Sequence, residues 1–298
     1  MRHLRMLGLA LVAMLTMSAL TLTFASSALA KKSLWTKMDE CPFGAKVMTP
    51  GGEAETHFCL FGEAGPESFF QAGKVTVHFV KPIDLYGGVA EDPENTEANT
   101  YVPPLNNVQI SKEAEPGPSL TEGIDAEKLE EPEKARYEAY LASGKSTSTT
   151  ETIELAKEDI FVDFTPFFGE NGESFGFPVL IHIKNPFLGK SCYDGSTAEP
   201  INVPYTTGET NPPPPNTPIR GGIGNEGEPE PALLNAEATL VNNEYEAPGV
   251  KGCGVNGGAD AAVDAGLGLP SPAGSNTTEL IGLLWTSTVH QTEKHVHQ

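Results

Sequence analysis

The stretch that decides the fold opens with Phe177-Pro-Val-Leu-Ile-His-Ile-Lys-Asn-Pro186, continues through Cys192-Tyr-Asp-Gly-Ser196 and closes at Gly252-Cys253-Gly254. In the opening run, alternate residues on one side are apolar: Phe177, Val179, Ile181 and Ile183. This alternation is typical of a β-strand that buries one face. A polyproline bend at Pro212-Pro-Pro-Pro215 precedes the last turn. We therefore predict that the stretch forms the core of a β-rich domain closed by a disulfide.

The rest of the chain favours the same fold class. Glycine (31 residues) and proline (25) are abundant, and 39% of residues are hydrophobic. Such a chain is too apolar to stay disordered and too rich in turn formers for a helical bundle. We predict a mainly β protein, an antiparallel β-sandwich-like domain with long Gly/Pro-rich loops, in which residues 31–298 form a single domain.

Further strands are predicted outside the central stretch. Lys74 to Lys81 alternates, with Val75, Val77 and Phe79 on one face. The other predicted strands are residues 151–155, 160–164, 236–241 and 278–289, the last followed by a polar tail. Residues 226–231 are predicted to form a loop, and residues 260–265 one or two helical turns before Gly266.

Residues 87–149 differ in character because they are acidic, broken by prolines and poor in apolar residues. We predict a partly flexible surface insertion that contains one short helix, Glu133 to Ser143, after Pro132 and before Gly144. A cation-binding loop is the functional alternative. No calcium-loop spacing occurs here, so a solvated acidic surface is favoured.

The N-terminus predicts export. Arg2 and Arg5 precede an apolar run, and the segment ends with a small-residue pattern at Ala28-Leu-Ala30 before Lys31. This layout is typical of a signal peptide, residues 1–30, cleaved between Ala30 and Lys31. A retained membrane anchor is the alternative. We expect no stable membrane span after cleavage and a location outside the cell or at the cell envelope.

Four cysteines follow the predicted cleavage point: Cys41, Cys59, Cys192 and Cys253. An even count in an exported chain indicates two disulfides. We favour the pairs Cys41–Cys59 and Cys192–Cys253, because each pair brackets its own block of strand-like sequence. A four-cysteine zinc site is the alternative, although the chain has no C-x-x-C motif.

The net charge of −21 disfavours nucleic acid and anionic lipid as partners. Two segments match the sequence motif of a catalytic site or of a nucleotide-binding site. Gly172-Glu-Ser174-Phe-Gly176 matches a nucleophile elbow, but an apolar, proline-containing run follows it instead of a helix. Gly222-Ile-Gly-Asn-Glu-Gly227 matches a dinucleotide motif, but it follows prolines instead of a strand. We expect neither to be functional.

Histidines and tyrosines supply the remaining candidates. His290, His295 and His297 are close enough in sequence to bind a stray metal ion, but a frayed polar tail explains them better. We expect His182 to be a satisfied core group and the sequon at Asn276 to be unused. Three tyrosines are the candidates for lining a glycan-binding face: Tyr193, Tyr205 and Tyr245.

Four segments together carry a family resemblance. They are residues 185–196, residues 204–221 with the polyproline run, residues 240–254, and Gly268-Leu-Pro-Ser-Pro-Ala-Gly-Ser-Asn-Thr277. In these segments the chain resembles an uncharacterised family of secreted actinobacterial proteins with no assigned activity, and Glu40-Cys41-Pro42 fits the same family. The resemblance is dense from about residue 177 to 283 and thin between 91 and 150. It implies export and paired cysteines, and it implies no site.

These observations favour a secreted, non-enzymatic protein without a cofactor or metal, acting as a structural or interaction protein with an extracellular or cell-wall partner. An extracellular glycan- or envelope-binding module is the alternative. A secreted hydrolase that uses Ser174, or two carboxylates beside a cleft, is the third possibility.

Overall fold

A computed structural model describes residues 34–48, 57–79, 82–91, 99–104, 114–156, 161–162 and 175–296. The predicted signal peptide, with Ala30 and Lys31, lies outside these residues, and so do Ser174 and His297. None of the helices in the described ranges combines the length and apolar character needed to cross a membrane.

The described chain is mainly β, as predicted, and consists of two antiparallel sheets. The first sheet has eight strands: β1 (His57–Ala64), β2 (Phe69–Ala72), β3 (Val75–His78), β4 (Ile83–Glu91), β5 (Asn99–Val102), β12 (Gly222–Glu230), β13 (Leu233–Asn242) and β15 (Thr278–Thr288). Six of them follow the order β12-β13-β15-β1-β4-β5, and β2 pairs with both β15 and β3.

The second sheet has seven strands: β6 (Ala114–Gly117), β7 (Thr149–Leu155), β8 (Phe161–Val162), β9 (Phe175–Lys184), β10 (Tyr193–Asp194), β11 (Ile201–Tyr205) and β14 (Val250–Lys251). Strand β9 is its centre, because β7, β8, β10 and β11 all pair with it. The alternating apolar run that begins at Phe177 therefore organises this sheet.

The main core contains apolar residues from both sheets. Strand β9 contributes Phe177, Val179, Ile181 and Ile183, as its alternation predicts. Strand β3 contributes Val75 and Val77, and Thr76 and His78 of the same strand are exposed. Burying such side chains supplies the main driving force for bringing the sheets together.

The first three α-helices contribute buried residues to this core, and the fourth packs in a separate cluster. They are α1 (Leu120–Gly123), α2 (Glu133–Ala142), α3 (Asp260–Leu267) and α4 (Val289–Val296). Helix α2 confirms the predicted helix at Glu133. Helix α3 passes Gly266 and ends at Leu267, and the φ of +71° at Gly268 suits the left-handed residue that caps it.

The acidic segment 87–149 is not a surface insertion in its described part. It supplies the end of β4, β5, β6 and two helices, and it buries Leu120, Ile124, Leu129, Tyr137 and Tyr140 in the main core. Arg136 of α2 donates to the Phe187 carbonyl at 2.7 Å and lies 3.9 Å from the Phe187 ring centre. The average composition hides this packing because the charged residues occupy exposed positions and the few apolar ones are buried.

Two other segments correct the sequence predictions. Residues 226–231 are mostly strand, not loop, because β12 pairs with β13 through two register shifts that accommodate its glycines. Pro229 is tolerated there because β12 is an edge strand. Residues 289–296 form helix α4 instead of the predicted strand end and polar tail, and Val289 and Thr292 of this helix are buried.

A second apolar cluster lies apart from the main core. We call residues 34–48 together with α4 the cap. Its buried members, with the strand residues that they contact, include Trp35, Met38, Met48, Phe61, Trp285 and Val289. Lys37 pairs with Glu63 and lies 4.6 Å from the Phe61 ring centre.

Both disulfides have the predicted pairing. The Cα atoms of Cys41 and Cys59 are 5.4 Å apart, and those of Cys192 and Cys253 are 4.2 Å apart. The first bridge ties the cap to β1, and the second ties the segment before β10 to the turn after β14. All four cysteines are bonded in this way, which excludes the four-cysteine zinc site.

Candidate functional site

A surface groove of about 620 Å³ lies in the described part of the chain. This volume lies in the range of ligand-binding clefts. Three segments line the groove, and we refer to it below as the groove: Glu199, Pro200, Asn202 and Pro204; Glu244 to Pro248; and Pro270 to Pro272.

The first wall is one face of β11. Ile201, Val203 and Tyr205 alternate into the core, so Pro200, Asn202 and Pro204 share the opposite face. The same alternation that buries one side of the strand therefore presents two prolines and an amide to the groove.

Asn242 joins this wall to the second segment. Its side-chain nitrogen donates to the Pro204 carbonyl, and its side-chain oxygen accepts the Glu244 N–H at 2.7 Å. Asn242 is 1% exposed, so both bonds are made away from water. A buried amide satisfied in this way holds two loops at a fixed separation.

Asn276 joins the second and third segments. Its side-chain nitrogen lies 3.0 Å from the Tyr245 carbonyl oxygen, 3.2 Å from that of Ser271 and 3.3 Å from that of Pro272. Its side-chain oxygen accepts the Gly73 N–H at 2.9 Å. Asn276 is fully buried, so it serves as the internal brace of the groove and cannot carry a glycan, consistent with the expectation that its sequon is unused.

Two further contacts fix the same walls. Ala247 and Ser271 exchange both of their backbone hydrogen bonds at 2.9 Å. The Tyr245 hydroxyl donates to the Gln71 carbonyl, and its ring stacks on Phe70 with centroids 5.2 Å apart. The groove is thus a preformed feature with backbone groups already paired.

The turn next to the groove depends on three aspartates, of which Asp194 is buried. Asp194 accepts the Gly249 N–H at 3.0 Å, Asp264 accepts that of Val250 at 2.8 Å, and Asp260 accepts that of Cys253 at 2.7 Å. Burial raises the pKa of Asp194 to about 6; the Gly249 hydrogen bond opposes this effect and the Asp264 charge adds to it. These carboxylates satisfy turn amides that no strand partner can reach.

The Cys253 turn also needs glycine. Gly252 has a φ of +76°, and a Cβ there would lie 2.4 Å from the Ser191 carbonyl oxygen. A side chain would therefore be strained and would collide with backbone. The turn at Gly252-Cys253-Gly254 therefore has a steric reason for its first glycine.

The three tyrosines proposed for a glycan-binding face do not form an exposed row. Tyr205 and Tyr245 are buried, with 0% and 3% exposure. Tyr193 is half-buried and stacks on His182, with centroids 4.1 Å apart. A sugar ring needs an open aromatic face, so these residues do not provide the platform.

His182 corrects a second expectation, since it is half-buried on the outer face of the sheet and not in the core. Its Nδ1 lies 3.5 Å from Glu154 Oε1. Burial lowers the pKa of His182 and Lys184 adds to this effect, whereas Glu154 opposes it. The ring is therefore neutral at pH 7, and its contact with Glu154 is not an ion pair there.

The remaining candidate site residues that the structure describes lie in different parts of it. His295 of α4 stacks on Trp35 with centroids 4.3 Å apart, and it belongs to the cap. The glycines 222–227 lie in β12, which is followed by β13 instead of the helix that a dinucleotide motif needs. Ser174, on which the hydrolase hypothesis depends, lies outside the described residues.

Sequence reasoning missed the groove and its braces. Asn242 and Asn276 each sit at the boundary of a predicted strand, where an asparagine usually indicates a local turn. Their long-range partners are set by the tertiary fold. Comparison of the chain with models of protein families, with curated proteins and with solved structures gave no match.

Proposed function

We propose that this protein is an exported, non-enzymatic interaction protein that binds a partner outside the cytoplasm or at the cell envelope through the groove. The observation that carries the proposal is the construction of the groove. Its walls are fixed before binding by Asn242 and Asn276, so little conformational entropy is lost when a partner is bound.

The lining favours binding over catalysis. Five of its residues are prolines, which carry no reactive group, and the three glutamates are exposed to solvent. Carboxylic acids that donate protons in catalysis lie in desolvated positions. A rigid apolar wall with a solvated acidic rim is instead typical of a recognition surface.

The two disulfides support the predicted export, because such bonds persist in oxidising compartments. The resemblance to secreted actinobacterial proteins supports the same location. Three of the four segments that carry it contribute residues to the groove: residues 204–221, 240–254 and 268–277.

A pull-down tests the proposal. The mature chain would be immobilised and exposed to secreted and cell-wall fractions at low and high salt. Asn202→Trp fills the groove from an exposed position, and Thr76→Trp adds the same side chain to an exposed strand position elsewhere. We expect a retained partner that is lost with the Asn202→Trp variant and kept with Thr76→Trp. Equal retention by both variants contradicts binding through the groove.

A further inference from the structure

The rim of the groove has one sign of charge. Its charged residues are Glu199, Glu244 and Glu246, all exposed, and no basic residue is among those that line the groove. The net charge of −21 adds to this local field. A concave surface lined with one sign of charge attracts ligands of the opposite sign. The rim is therefore complementary to a cation.

The walls set a second requirement. The prolines from three segments present aliphatic rings: Pro200, Pro204, Pro248, Pro270 and Pro272. A ligand that gains from both features has an apolar stem that packs on the rings and a charged end that reaches the rim. Among natural side chains, lysine combines a four-carbon stem with a compact charge.

Arginine fits these walls less well. Its planar guanidinium gains most from stacking on aromatic faces and from bidentate bonds to one carboxylate. Tyr245 is the aromatic residue of the lining, and its ring is buried against Phe70. The carboxylates belong to separate residues of the lining, and one oxygen of Glu244 already accepts the Asn211 N–H, which disfavours a bidentate bond there.

Backbone pairing with a bound strand is also disfavoured. Proline has no N–H, so five lining positions lack a backbone donor. Ala247 and Ser271 use their N–H and C=O groups on each other. The Pro204 carbonyl accepts from Asn242. Recognition must therefore come from side chains of the partner, not from strand addition.

We propose that the groove binds lysine side chains of a basic polypeptide segment. This inference rests on the proposed binding function and adds the chemistry of the partner. The stems of the lysines pack on the prolines, and their ammonium groups lie at Glu199, Glu244 and Glu246. Because the rim is solvated, the charge contributes chiefly to selectivity and association rate, and binding weakens with salt.

Fluorescence polarisation with short labelled peptides tests the inference. The peptides alternate glycine with lysine, arginine, glutamine or glutamate. The test variant combines Glu199→Gln, Glu244→Gln and Glu246→Gln. The matched control combines Glu127→Gln, Glu130→Gln and Glu138→Gln, which removes the same charge from exposed positions near α2. Circular dichroism and thermal melting establish that both variants fold.

We expect the lysine peptide to bind most tightly, and we expect the groove variant to weaken it about tenfold while the control changes it little. Equal weakening by both variants would show attraction to overall acidity and overturn the inference. Tighter binding of the arginine or glutamine peptide would also overturn it. In those cases the pull-down still tests the proposed function. A partner that the unaltered protein retains and the Asn202→Trp variant loses supports binding through the groove, so failure of the lysine inference is distinguishable from failure of the proposed function.

Discussion

The cap and the groove are held in different ways. The cap is an apolar layer in which Trp35, Met38 and Val289 pack on the first sheet, and one disulfide joins it to β1. The groove lies between one face of β11 and two irregular segments, which buried asparagines hold through hydrogen bonds to backbone groups. Aspartates bind backbone groups in the adjoining turn. Apolar packing tolerates changes of similar volume. A buried polar brace leaves unpaired groups when it is removed, so the groove is the more sensitive region.

The largest expected effect is the loss of stability on removing a disulfide, and this loss should differ between the two bonds. They close 18 and 61 residues, for which the chain-entropy relation gives about 3 and about 4 kcal/mol of stabilisation. We expect Cys192→Ala with Cys253→Ala to lower the free energy of unfolding more than Cys41→Ala with Cys59→Ala. Urea denaturation of the oxidised proteins measures both losses. The reverse order would mean that the cap, not the region beside the groove, is the more constrained.

Removing a brace of the groove and removing a residue of the cap should cost similar stability but differ in their effect on peptide binding. Asn276→Ala removes the acceptor of the Gly73 N–H and the donor to the buried Tyr245 carbonyl, and we expect a loss of about 3 kcal/mol. Trp35→Ala should cost about as much, near 3 kcal/mol, because it opens a cavity in the cap.

Of these two variants, only Asn276→Ala is expected to weaken binding of the lysine peptide, because Asn276 positions the groove walls and Trp35 does not contact them. Denaturation and peptide binding measured on the same two variants check the difference. If Trp35→Ala reduces peptide affinity as strongly, the two regions are not independent.

The free energy of unfolding is expected to depend on pH through Asp194, which lies beside the groove. The folded-state pKa of Asp194 is about 6, above its ordinary value of 3.8. Between these values the folded protein holds a proton that the unfolded chain has released. The free energy of unfolding therefore falls as pH rises through this window, by about 3 kcal/mol for this one group.

Asp194→Asn keeps an acceptor for Gly249 and removes the titration, so its stability should fall less between pH 4 and 6 than that of the unaltered protein. Urea denaturation across this range tests the difference, with the exposed Glu138→Gln as the control for lost charge. The same slope in Asp194→Asn as in the unaltered protein would show that Asp194 titrates normally.

The smallest effect is expected in the cap. Lys37 pairs with Glu63 and lies over Phe61, but its side chain is 37% exposed, so water screens the charge. We expect Lys37→Met to change the free energy of unfolding by less than about 1 kcal/mol. A loss as large as that of a disulfide would mean that charge, and not apolar packing, holds the cap.

The sequence predicts what depends on local periodicity. Strands β3, β9, β13 and β15, helix α2 and both cysteine pairs follow from alternation, helix boundaries and cysteine spacing. The described part of residues 87–149 does not, because its buried residues are few and scattered, and Tyr137 and Tyr140 pack on a residue, Phe187, that is distant in sequence.

The groove is also beyond sequence reasoning, for a different reason. Asn242 and Asn276 are ordinary turn residues by type, and only the pairing of β13 with β15 places them near Pro204 and Ser271. A polar side chain that braces loops across the fold has no periodic signal. Proline positions such as 200 and 204 indicate a broken strand, yet their shared face appears only when β11 pairs with β9.

An NMR titration of isotope-labelled residues 31–298 with the glycine–lysine peptide tests the central claim most directly. We expect the backbone amides that shift to lie in residues 199–204, 244–248 and 270–272, with those of residues 34–48 and 289–296 unchanged. Shifts confined to the cap, or no shifts at any peptide concentration, would contradict the assignment of the groove as the binding surface.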